Sequence, residues 1–369
     1  MVSAADVRDI LRVMWRIAVV LFSFVGCKSE SVLDSASSVS PPSTGYCRNT
    51  GMFATTAPLS GTTSSPLRPT NTFSIVARDP VTGELGVAVQ SHWFSVGSIV
   101  TWAEAGVGAI ATQAFAEPSY GPNGLALMRD GAAASDAMAK LVAADPQAAV
   151  RQLGFVDAQG HAASHTGARC IQYAGSHVGD GFAVQANLMG NGKVVPAMAA
   201  AFESAKGDLA ERMLAALDAA QAVGGDIRGC QSAAILVVSG KRTATPWAEK
   251  KLDLRVEDSA APLVELRRLV TLARAYDHMN QGDVAVEKND MKRAGDHYAA
   301  AAKLVPDSIE MVYWSGIAYA SRGDLEHAAP LLRRAFTADP AWVELTRRLP
   351  AAGLLPDAAA AERAVNAAR

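Results

Sequence analysis

Strand-forming and helix-forming segments come in groups between residues 72 and 239, and this grouping constrains the fold more than any other feature. Two apolar, β-rich segments, 72–78 and 85–90, flank a turn that contains Pro and Gly, which predicts a β-hairpin. Segment 107–113 predicts a third strand, and residues 122–129 and 132–144 then have the three- and four-residue apolar spacing of helices. Such grouping favours antiparallel sheets covered by helices over a strictly alternating α/β fold.

The same order repeats in the second half of this region. The predicted elements are strands 152–157, 162–166 and 182–187, helices 194–204 and 209–222, and a strand 232–239 that closes the set. The pattern therefore predicts an α+β domain with two sheets between layers of helices.

The first 27 residues have the features of a targeting segment. The apolar run 17–26 follows two arginines and has ten residues, too few to span a bilayer, so it predicts a secretory signal. Its end, Phe24-Val25-Gly26-Cys27, resembles a bacterial lipobox, which implies acylation of Cys27. A plain secretory signal and a buried cytoplasmic helix are the alternatives, and translation could start at Met1 or Met14.

Residues 28–70 are rich in Ser, Thr, Pro and Gly and cannot bury enough apolar surface to order themselves. This composition predicts a flexible tether between a membrane anchor and the folded domains, or else a leader without a tethering role. The sequence thus divides into a signal or lipoprotein segment (1–27), a tether (28–70), a central domain (71–258) and a helical region (259–369). We expect an extracytoplasmic protein of the cell envelope or periplasm.

Several motifs in the central domain carry a family resemblance. They are Thr72-Phe-Ser-Ile-Val-Ala-Arg-Asp-Pro80, Trp102-Ala-Glu-Ala-Gly-Val-Gly-Ala-Ile-Ala-Thr-Gln113, His165-Thr-Gly167, Gly224-Gly-Asp-Ile-Arg-Gly-Cys-Gln-Ser-Ala-Ala234 and Asp253-Leu-Arg-Val256. In this order they resemble the domain-of-unknown-function 1028 family, over about residues 72 to 269. The resemblance implies the four-layer αββα sandwich of the N-terminal nucleophile (Ntn) hydrolases, but it implies no substrate.

The resemblance also implies a nucleophile. Ntn enzymes use the side chain of a first Thr, Ser or Cys, with the free α-amine of that residue as the base. Thr72 opens the first strand, so the hypothesis is cleavage of the Asn71–Thr72 bond and attack by Thr72 on an amide. The alternative is an ordinary β-branched strand residue. Cleavage there would also release the domain from an anchor at Cys27, and segment 91–113 lacks the Lys that assists proteasome-like members.

Helper residues are expected where the last long helix of the domain gives way to a strand. Asp226 and Ser232 resemble the Asp and Ser that Ntn hydrolases place near the amine of the first residue. Candidate substrate-binding residues are His165, Asn187, Arg228 and Gln231. The structural alternatives are an ion pair between Asp226 and Arg228 and a capped strand end at Asn187.

Charge and motif content limit the other functions. The formal net charge is −2, so nucleic-acid binding is not expected without a local basic patch. No phosphate loop or dinucleotide fingerprint is present, and we expect no cofactor. His161, His165 and Asp157 are explained by a turn and a strand edge rather than by metal. Disulfide pairing among Cys47, Cys170 and Cys230 stays open.

The residues after Pro262 predict helices to the end of the chain. Segment 312–340 resembles one tetratricopeptide repeat, and Ala294, Tyr298, Ala301 and Pro306 stand at matching positions 34 residues before their counterparts. The first helix of the earlier repeat, around 266–279, is displaced by an insertion near 281–287. Two repeats are too few to bury a core of their own, so we expect them to pack against the central domain or another subunit. They predict either a surface that binds a peptide or protein or a stabilising helical cap.

Two function classes follow. The first is a hydrolase of the Ntn type that acts on an amide or peptide bond in the cell envelope. The second is a non-catalytic Ntn-fold module for envelope binding or assembly, which uses the family cleft and the helical repeats. The partners expected are a small molecule or peptide, a protein bound through the repeats, the membrane through the lipid anchor alone, and a second copy in a homo-oligomer.

Overall fold

The computed structural model describes residues 72–369, and the fold is given for that range. A mixed α/β part with antiparallel sheets comes first, and a helical segment follows it. The strands of this range are β1 (Thr72–Arg78), β2 (Leu85–Ser91), β3 (Thr101–Glu104), β4 (Gly108–Ala114), β5 (Arg151–Asp157), β6 (Ala162–Thr166), β7 (Gly175–Gly179), β8 (Phe182–Ala186), β9 (Ser232–Val238) and β10 (Lys250–Val256).

Five of the eleven helices of the same range start at a side-chain cap, such as that of Asp208, which accepts a hydrogen bond from the backbone of Glu211. They are α1 (Gly97–Val100), α2 (Tyr120–Arg129), α3 (Ala134–Ala144), α4 (Val194–Ser204), α5 (Leu209–Ala222), α6 (Pro262–Glu287), α7 (Met291–Leu304), α8 (Ile309–Ser321), α9 (Leu325–Ala338), α10 (Ala341–Arg348) and α11 (Ala358–Ala367).

The strands form two sheets. The larger has six strands in the order β10-β9-β2-β1-β8-β7, and the smaller has four in the order β3-β4-β5-β6. The hairpin of β1 and β2 pairs Thr72 with Ser91 and Arg78 with Leu85, so the predicted hairpin is confirmed with its turn at 79–84. Because β1 lies inside the larger sheet, its first residue is flanked by the ends of two neighbouring strands.

Three apolar clusters hold this part together. One face of the larger sheet packs under α4, α5 and the start of α6, through side chains such as Phe73, Phe202 and Leu217. Its other face packs against the smaller sheet, through residues such as Val87, Ala109 and Leu236. The outer face of the smaller sheet is covered by α2 and α3. Small residues in the sheet interface let the two sheets approach closely.

The helical segment joins the sheet region through α6. Arg267 and Arg274 of α6 form ion pairs with Glu211 of α5, and they also pair with Asp218 and Asp208, respectively. The segment has its own apolar clusters, around Tyr298 in one and Tyr313 in the other. The helix expected around 266–279 is longer than predicted, because α6 continues through the insertion near 281–287 as one helix of 26 residues.

The strand prediction missed three strands of the described range. Strand 232–239 does not close the set, because β10 follows and pairs with β9 at the sheet edge. The sequence of β10, Lys-Lys-Leu-Asp-Leu-Arg-Val, alternates charged and apolar residues, as is typical of an edge strand with one face in solvent. The short β3 and the polar, glycine-bounded β7 also give little periodic signal. No helix of the described range is long and apolar enough to cross a membrane.

Gly124 of α2 sets how closely this helix lies on the smaller sheet. A Cβ at this position would stand 2.6 Å from Ile110 Cδ1 and 2.6 Å from Phe155 Cε2. We expect Gly124→Ala to lower the free energy of unfolding by roughly 1–3 kcal/mol, because overpacking outweighs the better helix propensity of Ala. Urea unfolding measures this. Gly175→Ala, with open space around the added methyl, is the control, and equal stability of the two variants would contradict the account.

Candidate active site

Thr72 is the first residue of β1, and its side chain lies on the face of the larger sheet that packs against the smaller sheet. Neighbouring residues of a strand point to opposite faces, and Phe73 and Ile75 pack under the helices. Ser74, on the face of Thr72, donates a hydrogen bond of 2.6 Å to Gln113 Oε1 of the smaller sheet. Thr72 is fully buried in the uncut chain.

Three hydroxyl side chains lie in one row across adjacent strands. Thr72 of β1 pairs with Ser91 of β2, and Ser91 pairs with Ser232 of β9. The Thr72 hydroxyl donates to Ser91 Oγ at 3.2 Å. Ser232 Oγ accepts from the backbone of Val96 at 3.1 Å and donates to the carbonyl of Trp93, so it fixes the loop after β2. All three residues are buried.

Asp226 ties the segment before β9 to the end of β2. Its Oδ2 accepts from the backbone N–H of His92 at 3.3 Å and from Arg228 Nη2 at 2.7 Å. Its Oδ1 accepts from Arg228 Nε at 3.0 Å and from the Arg228 backbone at 2.9 Å. The carboxylate is thus neutralised by Arg228, whose side chain is 31% exposed. The local ion pair considered from the sequence is present.

Amide side chains connect the sheets beside Thr72. Gln113 Nε2 donates to the carbonyl of Thr72 at 3.2 Å and to Gln152 Oε1 at 2.7 Å. Asn187 donates its backbone N–H to the same Thr72 carbonyl at 3.1 Å and its side-chain N–H to Gln152 Oε1 at 2.8 Å. Asn187 Oδ1 is buried and finds no partner within the described range. The start of β1 is therefore held by uncharged donors.

Backbone strain collects at the same end of the strands. Of the five non-glycine residues with positive φ in the part of the chain described, four lie there, and the fifth is Asn289. The four are Ser95 after β2, Ala114 at the end of β4, Tyr173 before β7 and Leu188 after β8, with φ of 55°, 65°, 58° and 58°. Such conformations cost about 1 kcal/mol or more each and collect at functional sites.

His165 lies away from this group. It pairs with Leu153, which packs under α2 and α3, so His165 is on the outer face of the smaller sheet. Its Nε2 is 2.9 Å from the carbonyl of Ala148. The neighbouring Thr166 is on the inner face, where its hydroxyl accepts from Gln152 at 2.9 Å.

Asp157 and His161 form a turn between β5 and β6. Asp157 accepts the backbone N–H of Gln159 and of His161, and its Oδ2 lies 3.0 Å from His161 Nδ1. The same carboxylate also accepts from the backbone of Ala134 at the start of α3. Within residues 72–369, no cluster of three or more His, Cys, Asp or Glu side chains is arranged to hold a metal ion.

The described cysteines do not pair with each other. Cys170 is a free thiol, and Cys230 is disulfide-bonded, while Cys47 lies outside the described residues. Burial raises the pKa of the Cys170 thiol, and a hydrogen bond with the backbone of Gly167 offsets this only in part. Cys170 is therefore protonated at neutral pH and is a poor nucleophile.

The structure brings several sequence-predicted residues to one end of the larger sheet. Thr72 and Ser232 begin β1 and β9, Asn187 follows β8, and Asp226 with Arg228 is attached through the backbone of His92. Gln231 binds Ser91 through its backbone, but its side chain turns to Asp258 at 3.1 Å. Cys27 and Asn71 lie outside the described residues.

Sequence reasoning missed Ser91, Gln113 and Gln152. A signal for Ser91 existed, because the turn at 79–84 sets the hairpin register and so places Ser91 opposite Thr72. The two glutamines could not be found in this way. Their contacts with Thr72 and Asn187 depend on how two separate sheets stack, which no strand pattern specifies.

Comparison with known proteins identifies the family. Residues 72–266, more than half of the chain, match the family of unknown function DUF1028. A crystal structure of a Silicibacter pomeroyi protein, also described as DUF1028, is 32% identical, with a TM-score of 0.50 over 55% of this chain and 86% of that chain. No curated protein matches. The family match and the description of the structural neighbour agree, and this chain belongs to the DUF1028 family.

Proposed function

We propose that the chain is an N-terminal nucleophile hydrolase that cleaves an amide or peptide bond, with Thr72 as nucleophile after cleavage of the Asn71–Thr72 bond. The observation that carries the proposal is the buried row Thr72, Ser91 and Ser232 at the start of an interior strand. Two facing sheets with helices outside them support assignment of the four-layer αββα fold. The substrate class is an amide of the cell envelope.

The proposed chemistry uses one residue twice. After cleavage, the free α-amine of Thr72 takes the proton of its own hydroxyl while Oγ1 attacks the substrate carbonyl carbon. The amide C–N bond then breaks, the leaving amine takes the proton, and water hydrolyses the ester on Oγ1. An α-amine suits this role because it titrates near neutral pH.

The neighbouring side chains would position the nucleophile and would not themselves form or break covalent bonds. Ser91 accepts from Thr72 Oγ1 at 3.2 Å and so orients the nucleophile. Asp226 and Ser232 hold the loop after β2 against β9, next to the amine that cleavage would create. Asn187 fixes the Thr72 carbonyl with its backbone N–H, and its side-chain amide donates to Gln152. Arg228 and Asn187 remain the proposed substrate contacts at this end, Asn187 through its buried Oδ1, which finds no partner within residues 72–369.

A second candidate function is a non-catalytic binding or assembly module in the envelope. Arg228 donates three hydrogen bonds to the Asp226 carboxylate. This carboxylate therefore already has a strong partner other than the α-amine that a hydrolase would need it to hold. In addition, no Lys or Arg occurs between Ser91 and Gln113. A module of this kind would keep residues 28–71 attached and bind its ligand with the cleft or the helices.

The helical segment is proposed to be tetratricopeptide-like. Helices α7 and α9 begin 34 residues apart, at Met291 and Leu325. The pairs Ala294 with Ala328 and Ala301 with Ala335 are all fully buried, as that repeat length requires. We assign this segment a protein- or peptide-binding role, alone or in a homo-oligomer. We propose a lipid anchor at Cys27 that holds the precursor at the envelope until the Asn71–Thr72 bond is cut.

A hydroxyl-directed electrophile tests the nucleophile. A β-lactone would be opened by Thr72, forming an ester to Oγ1 as the ring C–O bond breaks, so the protein gains the full mass of the probe. We expect one adduct, mapped to Thr72 by peptide mass spectrometry and absent from Thr72→Ala. No adduct on the wild type, or an equal adduct on Thr72→Ala, would contradict the proposed hydrolase.

A further inference from the structure

We propose that the loop between β9 and β10 is a contact site for an anionic lipid surface, in addition to any lipid anchor and independent of the hydrolysis proposed above. The segment called the basic loop here spans residues 240–251 and includes residues 240–249 of this connection and the first two residues of β10. Four of its residues are basic and one is acidic, whereas the whole chain has a net charge of −2. It is therefore the local basic patch that a polyanionic partner requires.

The basic loop presents a large aromatic side chain to solvent. Trp247 is 71% exposed, although Trp usually buries most of its surface. The adjacent turn between β1 and β2 exposes Val81 at 91%. The two turns touch, since a Cβ on Gly240 would stand 2.4 Å from the carbonyl oxygen of Gly83. Exposed apolar side chains beside cations are the pattern of interfacial membrane contacts, where Trp lies at the headgroup level.

Half of the cations have no acidic partner within residues 72–369. Lys250 pairs with Asp253 at 2.6 Å, and Lys251 lies 3.8 Å from Glu84. Lys241 forms no ion pair in the described range, and Arg242 donates to the carbonyl of Arg129 at 3.1 Å. The only acid of the basic loop, Glu249, forms no ion pair there either. A net positive charge is thus left for the phosphate groups of anionic lipid headgroups.

The base of the loop is fixed rather than free. Ser239 accepts a backbone hydrogen bond from Gly106 at 3.0 Å, and its hydroxyl accepts from Lys241 N at 3.2 Å. The backbone of Arg242 lies against Gly106, where a Cβ would stand 2.2 Å from Arg242 N. Two strands and a neighbouring turn therefore hold the basic loop in place, so binding need not order it first.

The position of the basic loop is compatible with an open active site. The turn 79–84 is at one end of β1 and Thr72 at the other, so about 20 Å of strand separates them. A lipid surface is favoured over nucleic acid as partner because an exposed Trp and Val gain free energy on entering an apolar interface. A phosphate backbone offers these side chains no such interface.

Vesicle binding tests this inference. The full chain, expressed with Cys27→Ser to prevent acylation, is sedimented with vesicles of phosphatidylcholine, alone or mixed with phosphatidylglycerol. We expect binding to the anionic vesicles to be weakened by salt. We also expect Lys241→Glu combined with Arg242→Glu to weaken it on the order of tenfold or more. Lys288→Glu with Lys303→Glu, the same charge change on exposed positions of the helical segment, is the matched control.

Fluorescence gives a second readout. Anionic vesicles should shift the emission of the wild type to shorter wavelength, and Trp247→Phe should lose this shift while retaining the fold. Equal vesicle binding by the loop variant and its control would overturn the proposal. So would retention of the shift by Trp247→Phe, or binding of duplex DNA in the absence of any binding to anionic vesicles.

Discussion

The Thr72→Ala variant is expected to keep its Asn71–Thr72 bond under conditions in which the wild-type precursor is completely cut. Alanine has no oxygen to attack the preceding carbonyl, and loss of a catalytic nucleophile typically costs several orders of magnitude in rate. Thr72→Ser keeps a hydroxyl in the row with Ser91 and should retain cleavage at a reduced rate. Intact mass against time, on precursor purified early, measures both variants.

Thr112→Ala is the matched control for this prediction. Thr112 is also a fully buried strand threonine, but its hydroxyl bonds to the backbone of Glu117, outside the row of Thr72. This variant should be processed at nearly the wild-type rate. If Thr72→Ala is cut at the wild-type rate, the cleavage is due to another protease or another residue, and Thr72 is not the nucleophile.

The Gln113→Leu variant is expected to lose about 3 kcal/mol of stability. Leu fills a similar volume, so the loss comes from partners left without hydrogen bonds rather than from a cavity. The side chain of Gln113 accepts from Ser74 and donates to Gln152, to Thr72 and to the carbonyl of Gln185, all of them buried. Each orphaned buried group costs roughly 1–3 kcal/mol, and relaxation recovers part of the total.

Urea and thermal unfolding measure this loss. Gln159→Leu makes the same chemical change at an exposed position and should leave stability within about 0.5 kcal/mol. For a chain of this size we expect Tm to fall by at least about 5 °C in Gln113→Leu. A fall no larger than that of Gln159→Leu would contradict a structural role for the amide network.

The sequence predicted the elements with strong periodic patterns. Helices α3, α4 and α5 fall within a few residues of their predicted bounds, and so do β1, β2, β4 and β5. The helices among them bury one apolar stripe and the strands bury both faces, so the positions of their apolar residues reveal the type of element. Strand β10 was missed because an edge strand alternates lysine and aspartate with leucine, a pattern that a polar loop shares.

The candidate site was less predictable than the fold. Thr72 and Ser232 were found through resemblance, and hairpin register alone would have added Ser91. His165 shows that a motif match does not tell which face of a strand a residue lies on. It belongs to a family motif, yet a strand alternates faces, and the inner position is taken by Thr166. The amide network across Gln113 and Gln152 depends on the stacking of two sheets that pair no residues with each other.

The amino terminus of the mature wild-type protein tests the central claim most directly. The precursor is expressed with its own signal sequence, and the purified protein is analysed by amino-terminal sequencing and intact mass. The account predicts a chain that begins at Thr72, because only a free α-amine there can act as the base. A mature chain that begins at Cys27, with lipid mass and with residues 28–71 still attached, would contradict it and favour the binding module.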